Sequence, residues 1–195
     1  MKNIISLFLI FCGVTSFAQK AEYDVINNFL EVELSKMNYD TIFVIEMPLQ
    51  RSESVKLYEK SFHERLVNND YRETWVIPEM IDWPINQDEI DLLKKEIKKE
   101  NEKWTLSDFK NKKIIILPEK TIRGKDFIVS NISAKNYVFN LSRPVLNTQK
   151  DFAVFQFYPS LLIGGGSSDL AGLILMKKHN KKWIQIAVIQ NAVYN

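Results

Sequence analysis

Apolar residues change their spacing several times along this chain, and each change marks an element. Val25, Ile26, Phe29, Leu30 and Leu34 recur at intervals of three and four, lining one face of a helix expected from about Ala21 to Met37. The period then shortens. Thr41 to Ile45 is brief, β-branched and almost continuously apolar, as a buried strand requires. Steps of three and four return at Val55, Tyr58, Phe62 and Leu66, predicting a second helix from Ser52 to about Val67 that Asn68-Asn69-Asp70 ends with turn chemistry. A third helix carries its own start signal. Asn86 can cap it, Glu89 stands where a capping box needs an acid, and Ile85 can staple onto Ile90. Ile90, Leu93 and Ile97 form its inner face, and lysines gather at Lys94, Lys95, Lys98 and Lys99 before an expected stop near Asn101.

From Lys113 the period is mainly that of strands. Lys113 to Leu117, Phe127 to Val129, Tyr137 to Leu141, Phe152 to Tyr158, Leu170 to Lys178 and Trp183 to Ile189 are separated mostly by short gaps rich in Asn, Gly, Ser or Lys. His179-Asn180 is the expected tip of the last hairpin, because Asn tolerates positive φ. Strict alternation beyond it puts Ile184, Ile186 and Val188 on one face, beneath the helices and against Ile90, Leu93 and Ile97, with Trp183, Gln185 and Ala187 on the other. Helices first and strands later predict an α+β fold, with N-terminal helices packed on a curved antiparallel β-sheet that closes in a C-terminal meander. No linker or repeat divides residues 19–195. They are read as one globular domain, long enough to bury roughly 70% of its unfolded surface.

The first eighteen residues are of another kind. Lys2, the apolar run from Ile4 to Val14, and the small residues Ser16 and Ala18 fit a signal peptide, Met1 to Ala18, leaving a mature chain that begins at Gln19. A membrane anchor fits less well, since a span needs about 20 apolar residues and this run breaks at Gly13, Thr15 and Ser16. Cys12 is the one cysteine, and Phe11 before it is too bulky for a lipoprotein signal, so lipidation is not expected. The mature chain then has no disulfide, no thiolate nucleophile and no cysteine metal site. The expectation is an exported protein of the periplasm or the extracellular space, without a membrane span.

Composition narrows the chemistry. A formal net charge of +2 gives no single-signed field for nucleic acid. The lysine pairs at 94-95, 98-99, 112-113, 177-178 and 181-182 sit beside acids or at a turn, and are read as solvated faces. Gly164-Gly165-Gly166-Ser167-Ser168 lacks the lysine and spacing of a phosphate loop, so it is read as a connection between strands and a ligand-contacting rim. His63 and His179 have no metal-ligand spacing, no G-x-S-x-G elbow marks a nucleophile, and no metal or cofactor is expected. Asn131-Ile132-Ser133 and Asn140-Leu141-Ser142 match a glycosylation sequon, which means little if the host is bacterial, as the short leader suggests.

Glu73 to Trp83 is the segment richest in binding chemistry. Trp75 and Trp83 could stack on sugar rings while a pair among Glu73, Glu79 and Asp82 works as acid and base at a glycosidic bond. The same residues could plug the junction of helices and sheet, which is the favoured reading.

The C-terminal third carries a resemblance. Leu141-Ser142-Arg143-Pro144-Val145-Leu146, then Asp151 to Phe155, Leu175-Met176-Lys177-Lys178 and Lys182-Trp183 are similar to a pattern in small uncharacterised secreted bacterial proteins, whose final hairpin reads K-x-x-G-K-W. Lys181 stands here where those proteins have glycine. The resemblance implies a meander and export, and brings no activity. Taken together, the residues predict an exported, non-catalytic domain that binds a protein or glycan partner, with a carbohydrate-active hydrolase built on the Trp75–Trp83 segment as the alternative.

Overall fold

A computed structural model describes residues 20–65, 74–78, 80, 82–97, 102–131, 133, 135–162 and 171–191. The expected signal peptide lies outside them. Helix α1 covers residues 20–35. It is followed by β1 (Thr41–Ile45), α2 (Arg51–Glu64), β2 (Thr74–Ile77), α3 (Gln87–Glu96), a 3-10 turn at Leu106–Asp108, and β3 (Ile114–Leu117). Two short helices, α4 (Glu119–Ile122) and α5 (Lys125–Ser130), lead to β4 (Asn136–Leu141), β5 (Val145–Leu146), β6 (Phe152–Leu161), β7 (Gly172–His179) and β8 (Lys182–Asn191). Among the described residues, eight strands make one sheet in the order β2-β8-β7-β6-β4-β1-β3, with β5 also paired to β6. This is the α+β fold expected, helices early and a meander late. The sheet is nonetheless mixed, because β1 runs parallel to both β3 and β4. Parallel neighbours need a long crossover, and α2 to α3 and then α4 to α5 supply the connecting chain.

Both faces of the sheet are covered. On the first, α1 lays Val25, Ile26, Phe29, Leu30 and Leu34 against Phe139, Phe155, Phe157, Ile174 and Trp183, with Trp104 and Phe109 closing one end. On the second, α2 and α3 bury Val55, Tyr58, Ile90 and Leu93 against Val154, Leu173, Leu175 and Ile189. Further along that face, Ile122 and Phe127 pack on Phe43, Ile45 and Val138. Two-sided burial explains the unbroken run Leu173 to Met176, in which every residue is at most 1% exposed.

Local signals held where they were chemical. The Asn86 side chain accepts from the Glu89 N–H at 3.0 Å, and Ile85 and Ile90 are both buried. Glu89 does not return the bond. Its carboxylate accepts instead from the N–H and hydroxyl of Thr148, both at 2.8 Å, tying α3 to the turn before β6. The reciprocal capping box forms elsewhere, between Thr105 and Asp108 on the 3-10 turn. Helix α3 ends at Glu96, with Ile97 already extended.

Three expectations are corrected. Phe127 to Val129 is helical, within α5, because Phe127 turns its ring edge onto Phe43 at 5.0 Å and three apolar residues alone cannot declare a period. The last hairpin turns one residue later than expected, on Asn180 (φ 47°) and Lys181 (φ 68°), a pair of left-handed residues that matches the twist of the flanking strands. Strict alternation in β8 also fails. Leu175 pairs with Ala187 while Met176 pairs with Gln185, so Ile186 is the extra residue of a β-bulge. The bulge inverts the parity beyond it. Trp183 and Val188 therefore join the α1 face, Ala187 and Ile189 join the α2–α3 face, Ile186 is half-buried there, and Ile184 is left 47% exposed.

Two predictions follow from this hairpin. Trp183→Ala should cost ~3–5 kcal/mol as a large core truncation, while Ile184→Ala should stay within about 0.5 kcal/mol. Urea melts in which Ile184→Ala is the more damaging would place the bulge elsewhere. Lys181→Gly should raise stability by about 1 kcal/mol, since a left-handed residue with a side chain carries a penalty of that order. An unchanged or lowered midpoint would contradict the φ assigned to Lys181.

Candidate functional site

The structure separates the residues that the sequence had grouped. On β2, Val76 packs into the α2–α3 cluster, so strand alternation directs its neighbour Trp75, 47% exposed and opposite Gln190, to the other face. Trp83 lies with α2. Its ring meets Tyr58 at 5.4 Å and Phe62 at 5.9 Å, and the Arg65 guanidinium sits 5.3 Å from it. The two tryptophans thus serve different faces and form no common platform. Asp82 is exposed beside Trp83. Glu73, Glu79, Gly164, Gly165, Gly166 and Ser167 lie outside the described residues. His63 and His179 are exposed, and no group of three metal-ligating side chains occurs among the described residues.

A different set comes together on the second face. Among the described residues, the stretch of sheet between the cover of α2 and that of α4–α5 belongs to β4 and β6. Val138 and Val154 mark its apolar margins, and alternation puts Asn140, Gln156, Tyr158 and Ser160 on the same side. Asn140 is directly opposite Tyr158, and Val138 opposite Ser160. All four polar residues are half-buried. One end of this strip is anchored by buried hydroxyls: Ser54 and Ser142 share a hydrogen bond at 3.0 Å, the Gln156 N–H donates to the Ser142 hydroxyl at 2.9 Å, and the Ser54 hydroxyl donates to the Gln156 side chain at 3.4 Å. Asn140 Oδ1 is withdrawn from solvent and accepts no hydrogen bond among the described residues. Every member of the strip is a neutral hydrogen-bonding group.

Other polar clusters are structural. Arg143, 5% exposed, stacks 4.5 Å over the Trp104 ring and donates to the carbonyls of Glu102 and Lys103 and to Asp108. Arg51 donates to Glu22 at 2.6 Å, with Arg143 3.9 Å from the same carboxylate. Burial raises the Glu22 pKa from its ordinary value, outweighing both guanidinium groups. Burial likewise raises the Tyr58 phenol, whose hydroxyl accepts from the Ile85 N–H and donates to its carbonyl at 3.1 Å. A cleft of about 530 Å³ opens between the start of α2 and the end of α3, lined by Gln50, Ser52, Val55, Lys56, Lys94 and Ile97. Its two ammonium groups are already paired, Lys56 with Glu53 and Lys94 with Glu59.

The strip was missed in the sequence because its members stand singly inside apolar strands. The signal present was the neutral polar residue at alternate positions, Gln156, Tyr158 and Ser160, in a strand otherwise dense in Phe, Val and Leu. Comparison with protein families, with curated proteins and with solved structures finds no match in any of the three.

Glu22 provides a pH test of the structural cluster. A carboxyl whose folded pKa is raised contributes stability below its unfolded pKa and loses it as pH rises through the folded value. Glu22→Gln keeps a hydrogen-bond acceptor for Arg51 without the charge. Its urea midpoint relative to the wild type should therefore rise between pH 4.5 and pH 7. A difference that stays constant, or falls, would show that Glu22 ionises in the fold as easily as in the unfolded chain.

Proposed function

We propose that this chain is an exported, non-catalytic binding domain of the periplasm or extracellular space. The observation that carries the binding half is the strip of Asn140, Gln156, Tyr158 and Ser160, half-buried on the sheet face that α2 and α4–α5 flank among the described residues. Such groups hold a ligand by donating and accepting hydrogen bonds. None of the four is an acid, a histidine or a lysine that would exchange a proton near neutral pH. Export is supported by the leader pattern of Met1 to Ala18. The hydrolase alternative gains no support, because Trp75 and Trp83 stand on opposite faces and a sugar ring cannot use both.

Protein recovered from its native envelope or culture medium should begin at Gln19 by intact mass and N-terminal sequencing. That protein should be retained saturably by envelope material and show no turnover on a broad panel of hydrolase substrates. A lipid-modified Cys12 terminus would reverse the export route. Turnover, or absence of any retention, would overturn the binding reading.

A further inference from the structure

We infer that the β4–β6 strip binds a neutral glycan, an inference that rests on the binding reading above. Three classes of ligand can be weighed against the same residues. An anionic ligand such as a phosphate ester needs cations or a cluster of aimed N–H groups, and Asn140, Gln156, Tyr158 and Ser160 carry no positive charge. An extended peptide gains most of its affinity by adding a strand to an open sheet edge. That route is closed, since β4 is paired on both sides by β6 and β1, and β6 by β4, β5 and β7. A sugar asks for something else.

Each hydroxyl of a neutral saccharide is both donor and acceptor, and each carboxamide or hydroxyl of the strip has the same double character. Asn140 and Gln156 supply two planar amides on adjacent strands, one with its oxygen unsatisfied among the described residues. Each carboxamide also carries an N–H2 group able to donate to a sugar hydroxyl. Tyr158, directly opposite Asn140, adds the aromatic surface on which the C–H face of a pyranose ring packs. Gln156, Tyr158 and Ser160 run along β6 with Asn140 beside Tyr158 on β4, and Val154 precedes them while Val138 flanks Ser160, so the polar ground is a narrow band along one strand, which suits a chain of sugar units better than a broad protein surface. Ser54 and Ser142, both fully buried, hold the Gln156 end in place and do not themselves reach the ligand.

The test is an NMR titration of the isotope-labelled exported protein with neutral hexasaccharides of glucose and of N-acetylglucosamine. Polygalacturonate serves as an anionic comparison and a neutral hexapeptide as a peptide comparison. A neutral hexasaccharide should shift the backbone amides of Asn140 and of Gln156 to Ser160. Asn140→Ala should weaken that binding about tenfold, the loss of one well-made hydrogen bond. Ser160→Ala, a smaller change in the same band, should weaken it severalfold, and it keeps the test alive if Asn140→Ala does not fold. Lys95→Ala on the outer side of α3 should change nothing. Shifts confined to other residues, a response to polygalacturonate or peptide alone, or no response to either neutral saccharide would each overturn the glycan inference. If the protein is still retained by envelope material, the binding reading survives that outcome. If retention is also absent, both fail.

Discussion

Phe29 enters the sheet between Phe155 and Phe157, its ring 5.1 and 5.0 Å from theirs and nearly perpendicular to both. Phe157 repeats the geometry against Phe139 on the next strand at 4.9 Å. Burying one such side chain contributes roughly 1.5–3 kcal/mol, and edge-to-face pairs add about 0.5–1.5 kcal/mol each. The sheet's first face depends on this contact, because α1 is its principal cover. Once α1 is seated, its polar groups fix its angle. Asn27 donates to the Asp108 carbonyl and accepts from the Lys110 N–H, while Asn28 accepts from the Trp183 N–H. The segment carrying Trp104 and Phe109 is thereby drawn onto the same face, and Arg143 is roofed by Trp104.

With that face closed, the second must accept every other helix. The strands accordingly present apolar residues on both sides, and the polar band of β4 and β6 is a departure that needs an explanation. The gap left between α2 and the α4–α5 pair among the described residues explains why polar residues are tolerated there. It does not by itself explain why they are all uncharged, when lysine and glutamate are plentiful elsewhere on the surface. The hydrogen-bonding character of the band is the added information.

The elements legible in the sequence were those whose cause is local. β1 falls on Thr41–Ile45 as read, α3 starts where Asn86 caps it, and β6 to β8 lie close to their apolar runs. What could not be read is set by distant parts of the chain. The parallel pairing of β1 with β3 and β4 leaves no trace in β1 itself, since a strand buried on both faces looks alike in either direction. Phe127 became helical for the sake of Phe43, and the bulge at Ile186 re-phased β8 to satisfy two cores at once. The site was less legible than the fold. Trp75 and Trp83 are eight residues apart in sequence, yet a strand end and a turn send them to opposite faces, whereas Asn140 and Tyr158 meet because β4 and β6 pair in register.

The bond between Asn28 and Trp183 joins residues 155 positions apart. It means that the fold is closed by its two ends: the first helix finds its resting place only on strands made last. Contacts of such long range slow folding, because most of the chain must be ordered before they reward it. A chain that crosses a membrane N-terminus first would carry the bare apolar stripe of α1 through nearly the whole passage. Its earliest arriving surface would be its stickiest, and its survival would rest on a holding chaperone or on the speed with which the final hairpin follows.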